Sequence, residues 1–185
     1  MMILALLLAL SEQTPAAPAQ LPMLACSYTS VRDHERLTIE RCAQKDAQGR
    51  IQISRNHLGR FAYDRRGLTN IYVDGWYYLA RNGRSAAVMA YDNGADEFND
   101  GLARSPVGKK IGYIDRSLRI VIPARFDGAY PFENGLAVVC IGCRTVPSGE
   151  HFMSVDGEWG CIDSKGILVV ALHPAATYQP CPPKR

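Results

Sequence analysis

The sequence predicts an all-β fold made of tandem antiparallel β-repeats, about two full units and a partial capping unit, preceded by a small β-rich N-terminal segment. Three observations carry this expectation. Turn signals arrive about every ten residues and no helical period persists. The dipeptides Asp74-Gly75 and Asn82-Gly83 separate short apolar runs, and both tolerate the positive φ that tight hairpin loops demand. Finally, the chain matches itself when slid by 35 residues.

Taken in order, MMILALLLAL is an uninterrupted apolar run, and SEQTPAAPAQ after it holds the small-residue triplet Ala17, Pro18, Ala19 that a signal peptidase reads. Residues 1–19 are therefore expected to be a signal peptide, with the mature protein exported to the periplasm or secreted. The run Ile3 to Leu10 is shorter than the ~20 apolar residues that cross a bilayer, so no stable membrane span is expected. The leader lacks the usual Lys or Arg before its apolar run. A lipoprotein signal at Leu24, Ala25, Cys26 is interrupted by the polar, Pro-rich stretch in front of it. Cleavage would remove Glu12 and no base, raising the formal charge of +3 by one. Such a mild excess lacks the concentrated basic stripe of a nucleic-acid binder, and the densest cluster (Arg55, His57, Arg60, Arg65, Arg66) reads as a solvated face.

Residues 20–75 are read as the N-terminal β-rich segment. Leu37 to Arg41 and Arg50 to Ile53 form two strands around the polar turn KDAQG, and NIYV and WYYLA form the hairpin about Asp74-Gly75. Residues 76–171 hold the repeats. The slide of 35 pairs Tyr78-Leu79 with Tyr113-Ile114, Arg81 with Arg116, and Tyr91-Asp92 with Phe126-Asp127; a one-residue gap then brings FNDGLA onto FENGLA. A third, partial copy starts at Glu158, offset by 48, and its 13 extra residues lie between GLAVV and EWG. Each full copy reads as a strand (IGYID), a turn, a strand (RIVIP), a polar loop and a strand (GLAVV). Asp115 and Asp163, placed where a strand ends, are expected to accept backbone hydrogen bonds in the following turn. A lone three-stranded unit has two unpaired edges and no closed core, so copies must pack on one another. Residues 172–185, ending in QPCPPKR, are a Pro-rich tail expected to leave the sheet and cap the stack.

KIGYIDRSLRIVIPARFDGAYPFENGLAVV, with EWGCIDSKGILVV, resembles the WG-repeat family, whose units start Trp-Gly-Tyr-Ile-Asp, continue Val-Ile-Pro and end Phe-x-x-Gly-Leu-Ala. The likeness spans about residues 76 to 171, with the middle unit close and the outer two degraded. Ile111 replaces the Trp of the best copy, Tyr77 the Gly of the first and Cys161 the Tyr of the third. The resemblance implies an all-β repeat module used for binding, and it brings neither catalytic residues nor a cofactor.

Cys26, Cys42, Cys140, Cys143, Cys161 and Cys181 are an even set in a chain expected to be exported, which points to disulfides. Cys26 with Cys42 is favoured, closing a 15-residue loop worth ~3 kcal/mol on the chain-entropy model, and the other four are left to pair among themselves. The C-x-x-C at 140–143 keeps two other readings open. A thiol-disulfide site needs a lowered thiol pKa, usually from a helix N-terminus; RTVPSGEHF reads instead as a loop, and only Arg144 is at hand. A zinc site would use Cys140, Cys143, Cys161 and either Cys181 or His151, but has one knuckle rather than two. The oxygen-rich Tyr91 to Glu97 stretch lacks calcium-loop spacing.

These readings converge on a non-enzymatic module without cofactor or metal that binds another protein or a cell-envelope component, and not nucleic acid. A neutralising partner for a secreted toxin is a variant of the same class. Contact is expected through the loops Asp92 to Asp100 and Arg144 to Asp156, with Asp92, Asp96, Arg144, Glu150 and His151 as candidates, because insertions between copies map to one face of a repeat stack. Trp76, Tyr77 and Tyr78 either line that face or bury themselves in the sheet.

Overall fold

The computed structural model describes residues 21–149 and 151–183. The expected signal peptide, Glu150 and the side chain of His151 lie outside the described residues. Among the described residues seventeen strands follow one another: β1 (Met23–Thr29), β2 (Arg36–Lys45), β3 (Ile51–Ile53), β4 (Leu68–Tyr72), β5 (Trp76–Ala80), β6 (Ser85–Val88), β7 (Ala90–Tyr91), β8 (Gly94–Ala95) and β9 (Leu102–Val107) make up the first half. Then come β10 (Lys110–Asp115), β11 (Ile120–Phe126), β12 (Gly128–Ala129), β13 (Leu136–Ile141), β14 (Arg144–Ser148), β15 (His151–Val155), β16 (Glu158–Asp163) and β17 (Leu168–Pro174). A 3-10 turn, Arg55–Arg60, is the helical segment among the described residues.

The sheets do not coincide with the sequence repeats. The last strand of one copy, β9, pairs with the first strand of the next, β10, which pairs in turn with β11. Likewise β13 pairs with β16, and β16 with β17. Each of these sheets thus combines two strands of its own unit with strands of the preceding one (β9 in the first, β12 and β13 in the second), so neighbouring units are joined by backbone hydrogen bonds as well as by packing. The first strand of each unit, β10 and β16, is thereby paired on both sides, while β9, β11 and β17 remain at sheet edges.

The same triplet occurs in the N-terminal segment, where the sequence reading saw only generic strands. β4-β5-β6 repeats the order β9-β10-β11, and β1-β2-β3 repeats it once more; pairing of β1 with β4 joins the two into a six-stranded sheet. Asp46 shows why. Its Oδ1 accepts the amides of Gln48 (3.0 Å) and Arg50 (2.9 Å) and its Oδ2 accepts Arg50 Nε (2.7 Å). Asp115 makes the same bonds to Ser117, Arg119 and Arg119 Nε, and Asp163 accepts the amides of Lys165 and Ile167. The aspartate before each of these turns therefore holds the loop, as the sequence predicts. At the fourth turn position Gly49, Gly67, Gly83 and Gly166 all have φ near +80°, whereas Leu118 takes φ 56°. Leu118 keeps that costly conformation while its side chain is buried with Leu68, Val88, Ala103 and Ile114 between the six-stranded sheet and β10.

Alternation along the strands stacks the cores. In β13, Ala137 and Val139 face back onto Ile111, Tyr113 and Phe126, while Val138 and Cys140 face forward onto Trp159. Both faces are covered, so the strand reads as an unbroken apolar run, as central buried strands do. The six-stranded sheet encloses Tyr28, Ile39, Phe61, Ile71, Tyr77 and Leu79 around the Cys26–Cys42 disulfide. It curls until its edges approach, Ser85 Oγ donating to Ile51 O at 2.8 Å.

The Gly of the Trp-Gly pair has a steric reason. A Cβ at Gly112 would lie 2.6 Å from Ala124 N, and one at Gly160 2.7 Å from Val170 O. The second strand crosses directly over these glycines, where both ladders slip register. In the first copy the β5–β6 ladder is regular, and Tyr77 takes the place without conflict.

Candidate functional site

Cys140 sits near the end of β13 with its side chain wholly buried, and its carbonyl accepts Asp127 N at 3.0 Å. The chain then turns at Gly142, whose amide donates to Asp127 Oδ2 at 2.8 Å, while Lys110 Nζ binds Asp127 Oδ1 at 2.6 Å. The lysine and that amide together hold the Asp127 carboxyl below the usual range. Cys140 and Cys143 form a disulfide packed against Gly128, where a Cβ would come 2.5 Å from Cys140 Sγ and 3.1 Å from Ser154 Oγ. Cys26–Cys42 and Cys161–Cys181 complete the set, the pairing favoured from sequence and one of those left open.

No helix N-terminus faces the C-x-x-C among the described residues. Arg144 Nε lies 2.9 Å from Asp156 Oδ2, so its charge is directed at a carboxylate. With all six sulfurs in disulfides, no group of three metal-ligating side chains occurs among the described residues. The C-x-x-C is closed as a disulfide at the foot of the segment that follows it.

What it staples is a hairpin rather than the loop expected for RTVPSGEHF. β14 pairs with β15 from Arg144–Val155 to Ser148–His151. Pro147 is tolerated because both strands of a two-stranded ribbon are edges. Sequence reading missed the ribbon because the proline masked the β-branched and aromatic residues Thr145, Val146, Phe152 and Val155 that signal strands. The arm carries Phe152, 75% exposed and the most exposed of the large apolar side chains. Its base is fixed by the Cys140–Cys143 bond, by the Arg144–Asp156 pair, and by Asp156 N donating to Ala176 O at 2.9 Å.

In the other loop, Asp92 is exposed at the tip of the β7–β8 hairpin with φ 44°. Asp96 is corrected as a contact residue. It is 1% exposed, and its carboxylate accepts Arg104 N (2.8 Å) and lies 2.5 Å from Arg104 Nη2. Arg104 also donates to Ala129 O (3.2 Å), tying the first copy to the second. Of the aromatic trio, Tyr77 is buried, Tyr78 is half-buried against Phe98, and Trp76 is half-exposed beneath Arg36.

The copies share a tyrosine tether. Tyr78 Oη donates to Asp96 O (3.1 Å) and Tyr113 Oη to Tyr130 O (2.7 Å), each ring packing on the Phe of the following Phe-x-x-Gly, Phe98 and Phe132. Burial raises the hydroxyl pKa of both tyrosines, so they stay neutral donors. The third copy lacks that last strand, and Cys161 replaces the tyrosine. Its disulfide to Cys181 instead draws the tail over the final core, placing Tyr178 against Tyr130 and Trp159. β17 runs to Pro174, further than expected, before the tail turns back as that cap. Changing both Cys161 and Cys181 to alanine is expected to cost ~3 kcal/mol, from loss of the loop constraint. Trp159, now fully buried, should then show red-shifted emission; unchanged emission and stability would show that the tail is not held this way.

These features define a disulfide-bonded, all-β tandem-repeat protein. Residues 111–142 match the family model described as WG containing repeat, spanning β10 to β13 but for the first residue. One WG-type unit is therefore present in the chain, at residues 111–142. No curated protein and no solved structure shows a significant match.

Proposed function

We propose that this is an exported, non-enzymatic binding module whose β14–β15 arm contacts a protein partner of the cell envelope. The observation that carries the reading is the exposed Phe152 on a hairpin inserted into one repeat only and clamped at its base. A two-stranded ribbon is marginal by itself in water. The disulfide and the Arg144–Asp156 pair hold it ordered before contact, which lowers the entropy lost on binding. Aromatic anchors of this kind dominate interface energies. The apolar leader and three disulfides support an oxidising destination. No helix among the described residues is long and apolar enough to cross a membrane.

The test is crosslinked recovery from envelope extracts using the unaltered protein, Phe152→Ser, and a form with residues 146–153 replaced by Asn-Gly. A partner retained by the unaltered protein and reduced at least about tenfold by both variants is expected, the size of a modest hot spot. Equal recovery by all three, or recovery of nothing by any, would overturn the proposal.

A further inference from the structure

We propose that a second site, a polar pocket of about 430 Å³ at the junction of the six-stranded sheet, the Asp92 to Asp100 loop and the β10–β11 turn, binds a neutral sugar residue of a glycan. Its lining includes Asp64, Thr69, Asn70, Glu97, Phe98 and Arg116. The volume falls within the range of small-molecule sites. This inference does not rest on the arm reading.

Part of the pocket is scaffold. Arg116 stacks on Phe98, its Cζ 4.7 Å from the ring centroid, as Arg81 stacks on Tyr63 at 4.6 Å. Phe98 lies between Arg116 and Tyr78, so it fixes the guanidinium and offers no free face. The other polar residues are not demanded by the repeat. Thr69 stands where the later copies have Ala103 and Ala137, and Glu97 where the next copy has Pro131. Asn70 corresponds to Arg104 in the next copy, where the side chain is tied to Asp96, and to Val138 in the copy matched best. Thr69, Asn70 and Glu97 thus gather where the best-matched copy has Ala137, Val138 and Pro131.

Their hydrogen-bonding capacity is open. Asp64 spends Oδ1 on the amides of Arg66 and Leu68, leaving Oδ2 a long contact of 3.7 Å to Arg116 Nη1. The side chains of Asn70 and Glu97 have no hydrogen-bonding partner among the described residues. The pocket therefore presents acceptors (Asp64, Glu97), a donor (Arg116) and a side chain that does both (Asn70). An anion would face two carboxylates, and a cation would face the guanidinium. Hydroxyl groups, which donate and accept, suit such a mixture, and unpaired partners in the site penalise ligands that lack them.

The experiment is protein-observed NMR of the full mature chain titrated with maltose and N,N′-diacetylchitobiose, alongside glucuronate and glucosamine as charged controls. At least one neutral sugar is expected to shift amides around residues 69–70, 97–98 and 116 at millimolar concentration. Asn70→Ala and Arg116→Ala should each weaken binding roughly tenfold or more, the scale of a lost hydrogen bond that leaves a polar group unpaired. Glu97→Gln, which keeps an acceptor and removes the charge, should change it less. Absence of shifts with both neutral sugars, shifts centred elsewhere, or tighter binding of either charged control would overturn the inference. Loss of sugar binding by these variants with the Phe152-dependent partner retained would separate this site from the arm.

Discussion

Replacing Asp96 with alanine is expected to lower the unfolding free energy by about 3–5 kcal/mol, because it leaves Arg104 charged and buried without its partner. Asp96 and Arg104 are 1% and 9% exposed, so little water is available to take over. The carboxylate also satisfies the Arg104 amide, and its loss orphans a backbone donor. The chain itself shows an apolar solution to the same positions. Tyr130 and Val138 stand there in the next copy, Val138 facing Cys161 as Arg104 faces Tyr113. The double variant Asp96→Tyr, Arg104→Val should therefore recover most of the loss, as replacement of buried ion pairs by packed apolar groups often does. Urea denaturation of the single and double variants measures both, read as midpoint shifts at unchanged slope. A single variant within about 0.5 kcal/mol of the original, the range of surface changes, would show that the pair holds nothing.

Gly112→Ala is expected to cost roughly 2–3 kcal/mol, the upper part of the range for overpacking, since the added carbon meets backbone rather than a movable side chain. Gly160→Ala should behave alike, Val170 O being the obstacle. Gly75→Ala is the control: nothing lies within 4 Å of the added carbon and φ is not positive there. It should be neutral or slightly stabilising through the unfolded chain. Thermal unfolding of the three variants settles the comparison. Equal midpoints would mean that the Trp-Gly glycine is not a steric requirement.

The legible parts of the fold were local ones. The Asn-Gly turn, the alternation in WYYLA and the aspartates before RSL and SKG each report on a few neighbouring residues and appear in the structure as read, whereas Asp74-Gly75 lies in a hairpin loop without the positive φ expected of it. The N-terminal triplets were hidden because Cys42 and Ala43 stand where the best copy has Ile111 and Gly112, leaving the Asp46 turn as the surviving signal. The hairpin β14–β15 was hidden by Pro147, which a central strand would exclude and a ribbon accepts. Asp96 looked like any loop aspartate; its burial depends on Arg104, eight residues on and in another strand.

The sequence by itself determined that this is an all-β repeat protein with a WG-type unit and six cysteines, since side-chain period and turn chemistry act within a few residues of the chain. Only the tertiary structure decided that sheets straddle the repeats, that the C-x-x-C clamps an arm, that the Cys161–Cys181 bond substitutes for a missing strand, and that polar side chains meet at one junction. Those outcomes depend on which surfaces bury one another, whether next to each other in the chain, as β9 and β10 are, or far apart, as Thr29 and Arg116 are. Hydrophobic burial that sets such pairings is non-directional and leaves no local mark on the chain.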